Sequence, residues 1–572
     1  MTADISARLD RLSPAQRALF ERMRGKRPDP AAAPETAPDT APEAAPLSFA
    51  QARLWFLDRL QPGSPAYNIA SAVEIGGEID PAALDAALQQ VIARHGVLRT
   101  RYEEGADGPR QIVDPAPAGP VLRLADAPDA AAAAALATAE ARRPFDLATG
   151  PVFRLLLIRM APTRHVLAVT VHHIAADAWS LGILFDELMA AYRARLDGLP
   201  ADLPVLTTSY AAYAAEQRAA LDAAAEARLL DWWRHRLDGL PVLDWPAGPP
   251  RPPIQRFEGA ARRFDVPAAL TAAVEALGRH HGASTFQTLM AAAQVLIHHE
   301  TGQRDFALGA PVANRRRREH EALIGFFVNT LPFRARFDDD PAFTTWLERL
   351  RDDARAVLAH QDLPFEKLVE ALEDTRDPSR NPLVQVVLAF QNAPVGSGTA
   401  PGGLSLRGLE TDQGIARFDL EIHLTRAPCG GLAGMILYDT ALFDAARVDR
   451  LGRRFVRLLE MVAADPARRI GDLVPLLDED LAAIAAAAPA VPPAAELVPV
   501  RLARMVAEWA AAPAVEDLGG WIDYAGLDAA AARLMQALAG SGIGRGDVVA
   551  VILSPGRAAA AAAMGIWAAG AA

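Results

Sequence analysis

The chain has 572 residues, a formal net charge of −12, and 51% of its residues are hydrophobic. This length accommodates about three or four domains, and the composition allows a large core. The negative charge argues against nucleic acid as a partner, because such a partner needs a basic face. The single cysteine, Cys429, excludes an intrachain disulfide framework and is typical of a reducing compartment. Neither a secretory signal nor an apolar run of about 18 residues is found, so we expect a cytoplasmic protein without a membrane anchor.

The N-terminal segment divides into two parts. Residues 1–27 are amphipathic and predict a short helix. This segment is either a docking element for a partner or a disordered tail with some helix propensity. Residues 28–46 are rich in Pro and Ala, cannot bury a core, and predict a semi-rigid linker. Folded sequence is therefore expected from Leu47 onward.

From Leu47 to about residue 475, helix and strand patterns alternate, which indicates an α/β fold. The predicted helices cover residues 81–95, 130–143, 179–196, 210–237, 268–281, 286–301, 343–360 and 445–464. The predicted strands cover residues 70–75, 154–159, 166–172, 305–312, 384–390 and 434–437. This stretch is longer than one ordinary core, so we expect two lobes, 47–225 and 226–475, with a cleft or channel between them.

The composition changes after residue 475. Residues 476–501 are rich in Ala and Pro and predict a second linker. Residues 502–572 predict the beginning of a further α/β domain, with a strand over residues 548–553 ahead of an Ala-rich helix.

The most informative motif is a pair of adjacent histidines, His172 and His173, followed by Asp177, where a strand pattern gives way to a helix pattern. Neighbours on a strand point to opposite faces, so one histidine can look into a cleft while the other looks into the body of the protein. The histidine that faces the cleft is a candidate general base, since the unperturbed pKa of histidine lies near neutral pH. The other, with Asp177, would be scaffolding. Two other interpretations remain. Both histidines could be buried core residues, or they could bind a metal, although side chains that face opposite ways are poorly placed to share one ion.

These residues match the HHxxxDG signature of the condensation domains of nonribosomal peptide synthetases, and residues 47–475 resemble that family throughout. Further motifs follow in the family's order: 47–69 (LSFAQARLWFLDRLQPGSPAYNI), 94–102 (RHGVLRTRY), 210–218 (YAAYAAEQR), 324–334 (IGFFVNTLPFR), 360–368 (HQDLPFEKL) and 376–385 (RDPSRNPLVQ). The resemblance implies two chloramphenicol-acetyltransferase-like lobes in a V with a central tunnel. The opening motif resembles the class that joins two L-residues.

The resemblance also implies an acyltransferase that forms amide bonds. The amine of a carrier-bound aminoacyl acceptor would attack the thioester of a carrier-bound acyl or peptidyl donor, each on a phosphopantetheine arm. Neither a covalently bound cofactor nor a metal is implied. The expected partners are carrier protein domains, with the donor arriving in trans, and other synthetase modules.

Roles for single residues follow from the same resemblance. His173 would face the tunnel as the catalytic residue, where it either takes the proton of the amine or orients the amine. His172 and Asp177 would support the site, and Asp177 is expected to form a buried ion pair with Arg99. Ala178 stands where the family has glycine, which predicts a slightly narrower tunnel. Other tunnel or motif positions, without an assigned chemical role, are Trp179, Ser180, Arg315 and Asn329.

The last segment, residues 502–572, resembles the beginning of an adenylation domain. The resemblance rests on residues 521–527 (WIDYAGL), 544–553 (GRGDVVAVIL) and 565–572 (GIWAAGAA). We expect the chain to stop before the phosphate-binding loop of that family, and so to carry out no ATP chemistry in this segment.

Alternatives to peptide-bond formation remain at this point. The motifs do not separate amide formation from ester formation or from loading of a fatty acyl starter group. A non-catalytic platform that recruits other enzymes is a third possibility, although such relatives usually lack the second histidine. A free-standing acyltransferase that uses coenzyme A is a fourth, and the adenylation-like segment argues against it.

Overall fold

The computed structural model describes residues 43–106, 108–245, 248–372, 377–391, 403–409, 414–487 and 498–572. The chain divides into two compact units, one that ends at Leu477 and one that spans Asp478–Ala572. Across these described ranges, no helix has the length and apolar character needed to cross a membrane. The helix predicted within residues 1–27 lies outside the described residues.

The strands of the first unit include those predicted from the apolar patterns. In chain order they are β1 (Glu43–Pro46), β2 (Asn68–Gly76), β3 (Thr100–Gly105), β4 (Gly108–Val113), β5 (Leu122–Asp126), β6 (Phe153–Ala161), β7 (Arg164–His172), β8 (Gly259–Val266), β9 (Asp305–Val312), β10 (Asn329–Arg336), β11 (Val386–Gln391), β12 (Ser405–Leu409), β13 (Leu420–Arg426) and β14 (Leu432–Asp439). Most of β6 and β7 is buried, as expected for strands that are covered on both faces.

The helices of this unit also match the periodic patterns closely. They are α1 (Phe49–Leu60), α2 (Pro81–Arg94), α3 (Ala130–Arg142), α4 (Ala178–Leu196), α5 (Tyr210–Ala220), α6 (Ala223–Leu237), α7 (Ala268–His280), α8 (Thr285–Thr301), α9 (Phe343–Ala359), α10 (Phe365–Leu372) and α11 (Ala445–Ala464). The single helix predicted over residues 210–237 is wrong, because α5 ends before Leu221 and α6 begins anew. The carboxylate of Asp222 accepts a hydrogen bond from the backbone N–H of Ala225 and so caps a separate helix.

The strands assemble into mixed sheets, so the α/β fold is confirmed. A first sheet has the order β12-β2-β7-β6-β5, and a second sheet has the order β10-β9-β11-β13-β14-β8. Most neighbours are antiparallel, but β5 runs parallel to β6, and β11 runs parallel to both β9 and β13. A smaller sheet has the order β1-β4-β3.

Folded structure begins earlier than the sequence predicts. Strand β1 (Glu43–Pro46) pairs antiparallel with β4, with Pro46 opposite Arg110. The amide of Gln111 also donates a hydrogen bond to the Pro46 carbonyl. The linker predicted over residues 28–46 is therefore too long at its C-terminal end, because proline is tolerated in an edge strand.

The two larger hydrophobic cores of this unit do not follow the predicted lobe boundary. One core is built on the first sheet and includes Leu54, Leu88 and Val169, and it also takes in Phe327 and Leu404. Strand β12, far along the chain, extends the same sheet by pairing with β2. The lobe predicted as 226–475 thus completes the core of the lobe predicted as 47–225.

The second unit contains helices and one strand pair. Its elements are α12 (Asp478–Ala487), α13 (Val498–Trp509), β15 (Pro513–Asp517), β16 (Gly520–Asp523), α14 (Tyr524–Gly540) and α15 (Arg557–Ala568). The linker predicted over residues 476–501 instead contains α12 and the beginning of α13. The strand predicted over residues 548–553 is also wrong: it pairs with no described strand, and Val548 and Ile552 are 85% and 95% exposed.

Candidate active site

The histidine pair lies at the end of a buried strand. Strand β7 ends at His172, which stands opposite Asn68 of β2. The next residue, His173, donates its backbone N–H to the carbonyl of Tyr67 at 2.8 Å. The chain then turns and enters α4, so both imidazoles are held between a strand and a helix.

His173 lines a cavity, and its ring is fixed in one tautomer. Its Nδ1 lies 2.9 Å from the carbonyl oxygen of Ala176. Because a carbonyl oxygen only accepts hydrogen bonds, Nδ1 carries the proton and Nε2 keeps the lone pair. The ring also packs on Phe326, with ring centroids 4.5 Å apart. Burial, followed by the positive charge of Arg417, lowers the pKa of His173 to about 4. The imidazole is therefore neutral at pH 7.

His172 is buried in the body of the first unit. Its Nδ1 accepts a hydrogen bond from the backbone N–H of Ile174 at 3.1 Å, and its ring meets Phe145 edge to face. Burial first, and then the neighbouring His173 and Arg417, lower the pKa of His172 to about 3. Over the part of the chain that the structure describes, no group of three or more His, Cys, Asp or Glu side chains is arranged to hold a metal ion.

Asp177 joins distant segments beneath the histidines. It caps α4, since its Oδ1 accepts the backbone N–H of Ser180 at 2.8 Å. Its Oδ2 accepts the backbone N–H of Phe327 at 3.1 Å. The guanidinium of Arg315 lies 3.2 Å from Oδ1, and both side chains are buried, at 0% exposure for Asp177 and 2% for Arg315.

The ion pair predicted between Asp177 and Arg99 is therefore wrong. The guanidinium of Arg99 donates instead to the backbone carbonyl of Asp114. Arg315 takes its place, and it also donates to the carbonyls of His320 and Leu323. These two bonds close a loop around the guanidinium, which makes Arg315 a buried structural cation. Burial lowers its pKa and Asp177 opposes that effect.

Hydrogen bonds from other elements hold the segment that carries Phe326, and three of them involve Ser180, Asp177 and Tyr210. Ser180 Oγ accepts the N–H of Gly325 at 3.0 Å, Asp177 accepts the N–H of Phe327, and the hydroxyl of Tyr210 donates to the carbonyl of Phe326 at 2.7 Å. Phe326 in turn packs on His173. The segment thus links the stability of the fold to the orientation of the imidazole.

Replacing Gly325 with alanine should destabilise the protein. A Cβ at this position would lie 2.0 Å from Cδ2 of Tyr210, whose side chain is buried and cannot move aside. We expect a loss of about 1–3 kcal/mol, typical of overpacking, measured by urea unfolding. Gly182→Ala in α4 is the matched control, because a Cβ there meets nothing within 4 Å. Equal stability of the two variants would contradict the tight approach of Gly325 to Tyr210.

The remaining predicted positions fall in and around the cavity. Ala178 begins α4 and lines the cavity with His173. Trp179 is half exposed and donates its indole N–H to the carbonyl of Glu321 at 3.0 Å. Asn329 is buried in the cavity wall, where its amide N–H groups bond the carbonyls of residues 361 and 363. These residues, like Ser180, connect elements around the site.

The cavity has a volume of about 980 Å³ and is lined from both sheets. Ile69 and Ala70 of β2 lie in its wall together with Val387 of β11 and Leu437 of β14. This is the upper end of the size range of small-molecule sites. His173 therefore faces a space large enough for a small-molecule ligand.

Sequence reasoning missed Arg417, which lies close to the histidines. Its side chain donates to the carbonyls of Ala66 and Asn68 at 3.0 and 3.2 Å, and its charge lowers the pKa of both histidines. It sits in a loop before β13, about 350 residues from the segment that it binds. No local pattern signals such a contact.

Comparison with known proteins agrees with this architecture. The profile of the condensation-domain family matches residues 42–484. Phosphinothricin tripeptide synthetase PhsC of Streptomyces viridochromogenes is 40% identical over 488 residues, which cover 83% of this chain and 44% of that protein. The chain thus spans less than half the length of this relative.

Solved structures show the same fold. The X-domain in its complex with OxyB from teicoplanin biosynthesis superposes with a TM-score of 0.69 at 31% identity, over 77% of this chain and 97% of that one. A four-domain nonribosomal peptide synthetase bound to AMP and glycine gives a TM-score of 0.71 at 23% identity, over 93% of this chain and 42% of that one.

The protein therefore has the α/β fold of condensation domains, built from mixed sheets. The chain belongs to the condensation-domain family, with homologues among the nonribosomal peptide synthetases.

Proposed function

We propose that this protein forms a peptide bond between an acyl or peptidyl donor and an aminoacyl acceptor, both held as thioesters on the phosphopantetheine arms of carrier proteins. The acceptor nitrogen forms a bond to the thioester carbonyl carbon, the C–S bond breaks, and the proton lost by nitrogen ends on the thiolate. The main support is His173, which presents a lone pair on Nε2 to a large cavity in a member of the condensation-domain family.

His173 acts in this proposal mainly by orienting the amine. An α-ammonium has a pKa near 8, whereas the pKa of His173 is about 4, so proton transfer between them would be uphill by roughly 5 kcal/mol. A neutral imidazole instead accepts a hydrogen bond from the neutral amine and points its lone pair at the carbonyl. Positioning of this kind supplies a large share of the rate in many two-substrate reactions.

The direct test is a transfer assay with the full chain. One carrier is loaded with an L-aminoacyl donor and another with an L-aminoacyl acceptor, and the dipeptidyl carrier is detected by intact mass. We expect product that depends on the protein, with carriers alone as the control. The absence of product across aminoacyl, peptidyl and fatty acyl donors would overturn the proposal.

The same assay separates the alternatives. A 2-hydroxyacyl acceptor reports ester formation, and a fatty acyl donor reports loading of a starter group. The resemblance to the X-domain bound to OxyB supports the recruitment platform as a second candidate. Protein that binds loaded carriers but gives no product with any of these substrates would favour the platform.

The pH dependence should follow the acceptor amine. Since His173 is already neutral above about pH 4, the rate should rise from pH 6 to about pH 8 with the neutral fraction of the amine and then level off. We expect no further step near pH 6.5, the usual pKa of histidine. An aminooxy acceptor, whose nitrogen is much less basic, should move the midpoint to lower pH. A midpoint that stays in place with this acceptor would show that a group of the protein titrates instead.

Two further parts of the proposal concern the neighbours of this domain. The donor carrier and other synthetase modules are the proposed partners. Residues 502–572 are proposed to begin an adenylation domain, supported by the similarity to the four-domain synthetase over 93% of this chain.

A further inference from the structure

One wall of the cavity is a face of the second sheet, where strand register sets neighbouring side chains in rows. The first row holds Val387, Glu421, Leu437 and Ala261, on β11, β13, β14 and β8 in turn. The second row holds Ala389, His423, Met435 and Arg263 on the same strands. All eight residues line the cavity. Glu421 and His423 lie on one face of β13, two residues apart, in a wall whose other members are apolar except for Arg263 on the edge strand β8.

Glu421 is an ionised carboxylate within this wall. It is 5% exposed, and hydrogen bonding from His423 and the charge of Arg417 outweigh burial and lower its pKa to about 2. Its Oε1 accepts the backbone N–H of Arg417 at 3.0 Å, and its Oε2 lies 3.2 Å from Nε2 of His423. A carboxylate accepts about four hydrogen bonds, so these two leave acceptor capacity.

The guanidinium of Arg417 does not form an ion pair with this carboxylate. It binds the carbonyls of Ala66 and Asn68 on the other side of the site. Within the described ranges, the ion-pair partner found for Glu421 is His423, whose ring is partly exposed, at 28%. A buried carboxylate in this setting is stabilised by any further group that donates a hydrogen bond to it.

A role in supporting the fold does not account for both side chains. The bond from Glu421 to the backbone of Arg417 orders the loop before β13. His423, however, adds no other hydrogen bond to a described residue and contributes a polar ring where its row neighbours, Ala389 and Met435, are apolar. A sheet wall of this kind recognises a ligand through a few placed polar groups among apolar ones.

We propose that Glu421 and His423 form a subsite for the side chain of one of the two substrates, and that they select a side chain that donates hydrogen bonds, above all a cationic one. The inference rests on the proposed function, since it assigns the preference of the same cavity. The methyl and methylene surfaces of Val387, Leu437 and Met435 would hold the aliphatic stem of such a side chain, and Glu421 would bind its terminal group.

Competition between loaded carriers tests this inference. Ornithyl, glutaminyl, leucyl and glutamyl carriers are mixed in equal amounts, first as donors with a glycyl acceptor and then as acceptors with a glycyl donor. Products are counted by intact mass. In one of the two arms, we expect the wild-type protein to prefer ornithyl over leucyl by about 10–100-fold, with glutamyl the poorest substrate.

Variants of the two residues should reduce this preference. Glu421→Gln keeps the shape and should lower the ornithyl-to-leucyl ratio by about tenfold. His423→Leu should lower it in the same direction by favouring leucyl. Because His423 is partly exposed, this second variant keeps the test valid if Glu421→Gln fails to fold. Thr425→Val, a change of similar size further along β13 at a residue outside the cavity lining, is the matched control and should leave the ratio unchanged.

The outcomes separate this inference from the proposed function. Transfer that proceeds with leucyl equal to or better than ornithyl in both arms overturns the subsite and leaves condensation standing. An ornithyl preference that both variants retain also overturns it. A complete lack of transfer with every carrier overturns the proposed function and the subsite together.

Discussion

Replacing His173 with alanine should lower the rate of carrier-to-carrier transfer by roughly 10²-fold, the loss expected when a reacting group is no longer held in position. The fold should survive, because the side chain makes one hydrogen bond, to Ala176, and one ring contact, to Phe326. Single-turnover kinetics by intact mass, with thermal unfolding alongside, measures both effects. The loss should appear in kcat rather than KM, since the imidazole orients the amine and does not bind either carrier.

His172→Asn is the informative comparison for this variant. An asparagine Oδ1 can replace Nδ1 of His172 as acceptor for the N–H of Ile174, and His172 faces away from the cavity toward Phe145. We expect this variant to keep transfer within about tenfold of the wild type, a small loss on the scale set by one lost orienting group. If His172→Asn lost as much activity as His173→Ala, the division of roles between the two histidines would be refuted.

Asp177→Asn should cost about 3–5 kcal/mol of stability, because it leaves the guanidinium of Arg315 buried without a counter-charge. The asparagine retains a side-chain oxygen that can cap α4, so the cap alone does not explain such a loss. Urea unfolding followed by tryptophan fluorescence gives the free-energy difference. At low temperature, the folded fraction should still catalyse transfer, since Asp177 bonds Ser180, Phe327 and Arg315 and not the cavity.

Three further variants separate charge from position. Arg99→Met should cost much less than Asp177→Asn, because Arg99 bonds a backbone carbonyl and not Asp177. Asp129→Ala removes an exposed helix cap and should cost about 1 kcal/mol. The double variant Asp177→Asn with Arg315→Met should recover part of the loss, since removing both charges removes the uncompensated one. A double variant less stable than Asp177→Asn alone would show that Arg315 acts through packing instead.

Local signals in the sequence were sufficient for much of the fold. The apolar run before His172 ends a strand, and Asp177 begins a helix, because both depend on neighbours within a few residues. The helix over residues 478–487 was missed for an equally local reason. Its Ala-rich sequence predicts a linker, but Asp478, Glu479 and Asp480 occupy the first turn, where carboxylates stabilise a helix.

The partners of the site residues could not be predicted in this way. Asp177 and Arg315 are 138 residues apart in the sequence, and no local pattern distinguishes Arg315 from Arg99 as the partner of Asp177. Which arginine reaches the carboxylate depends on how the two cores pack. Glu421 and His423 share a face because they are two residues apart on β13, but the sequence of this strand alone does not say which face lines the cavity.

The pairing of β12 with β2 delays completion of the first sheet while the chain is synthesised on the ribosome. Arg407 of β12 bonds Glu74 of β2 at 2.5 Å, across 333 residues of sequence. At about 5–20 residues per second, roughly 17–67 s pass between synthesis of the two strands. During that interval the backbone of β2 has an open edge, and the core around it lacks Phe327 and Leu404. A nascent chain of this protein therefore carries β2 with one open edge until β12 has been made, which makes it a natural client for chaperones that shield such edges.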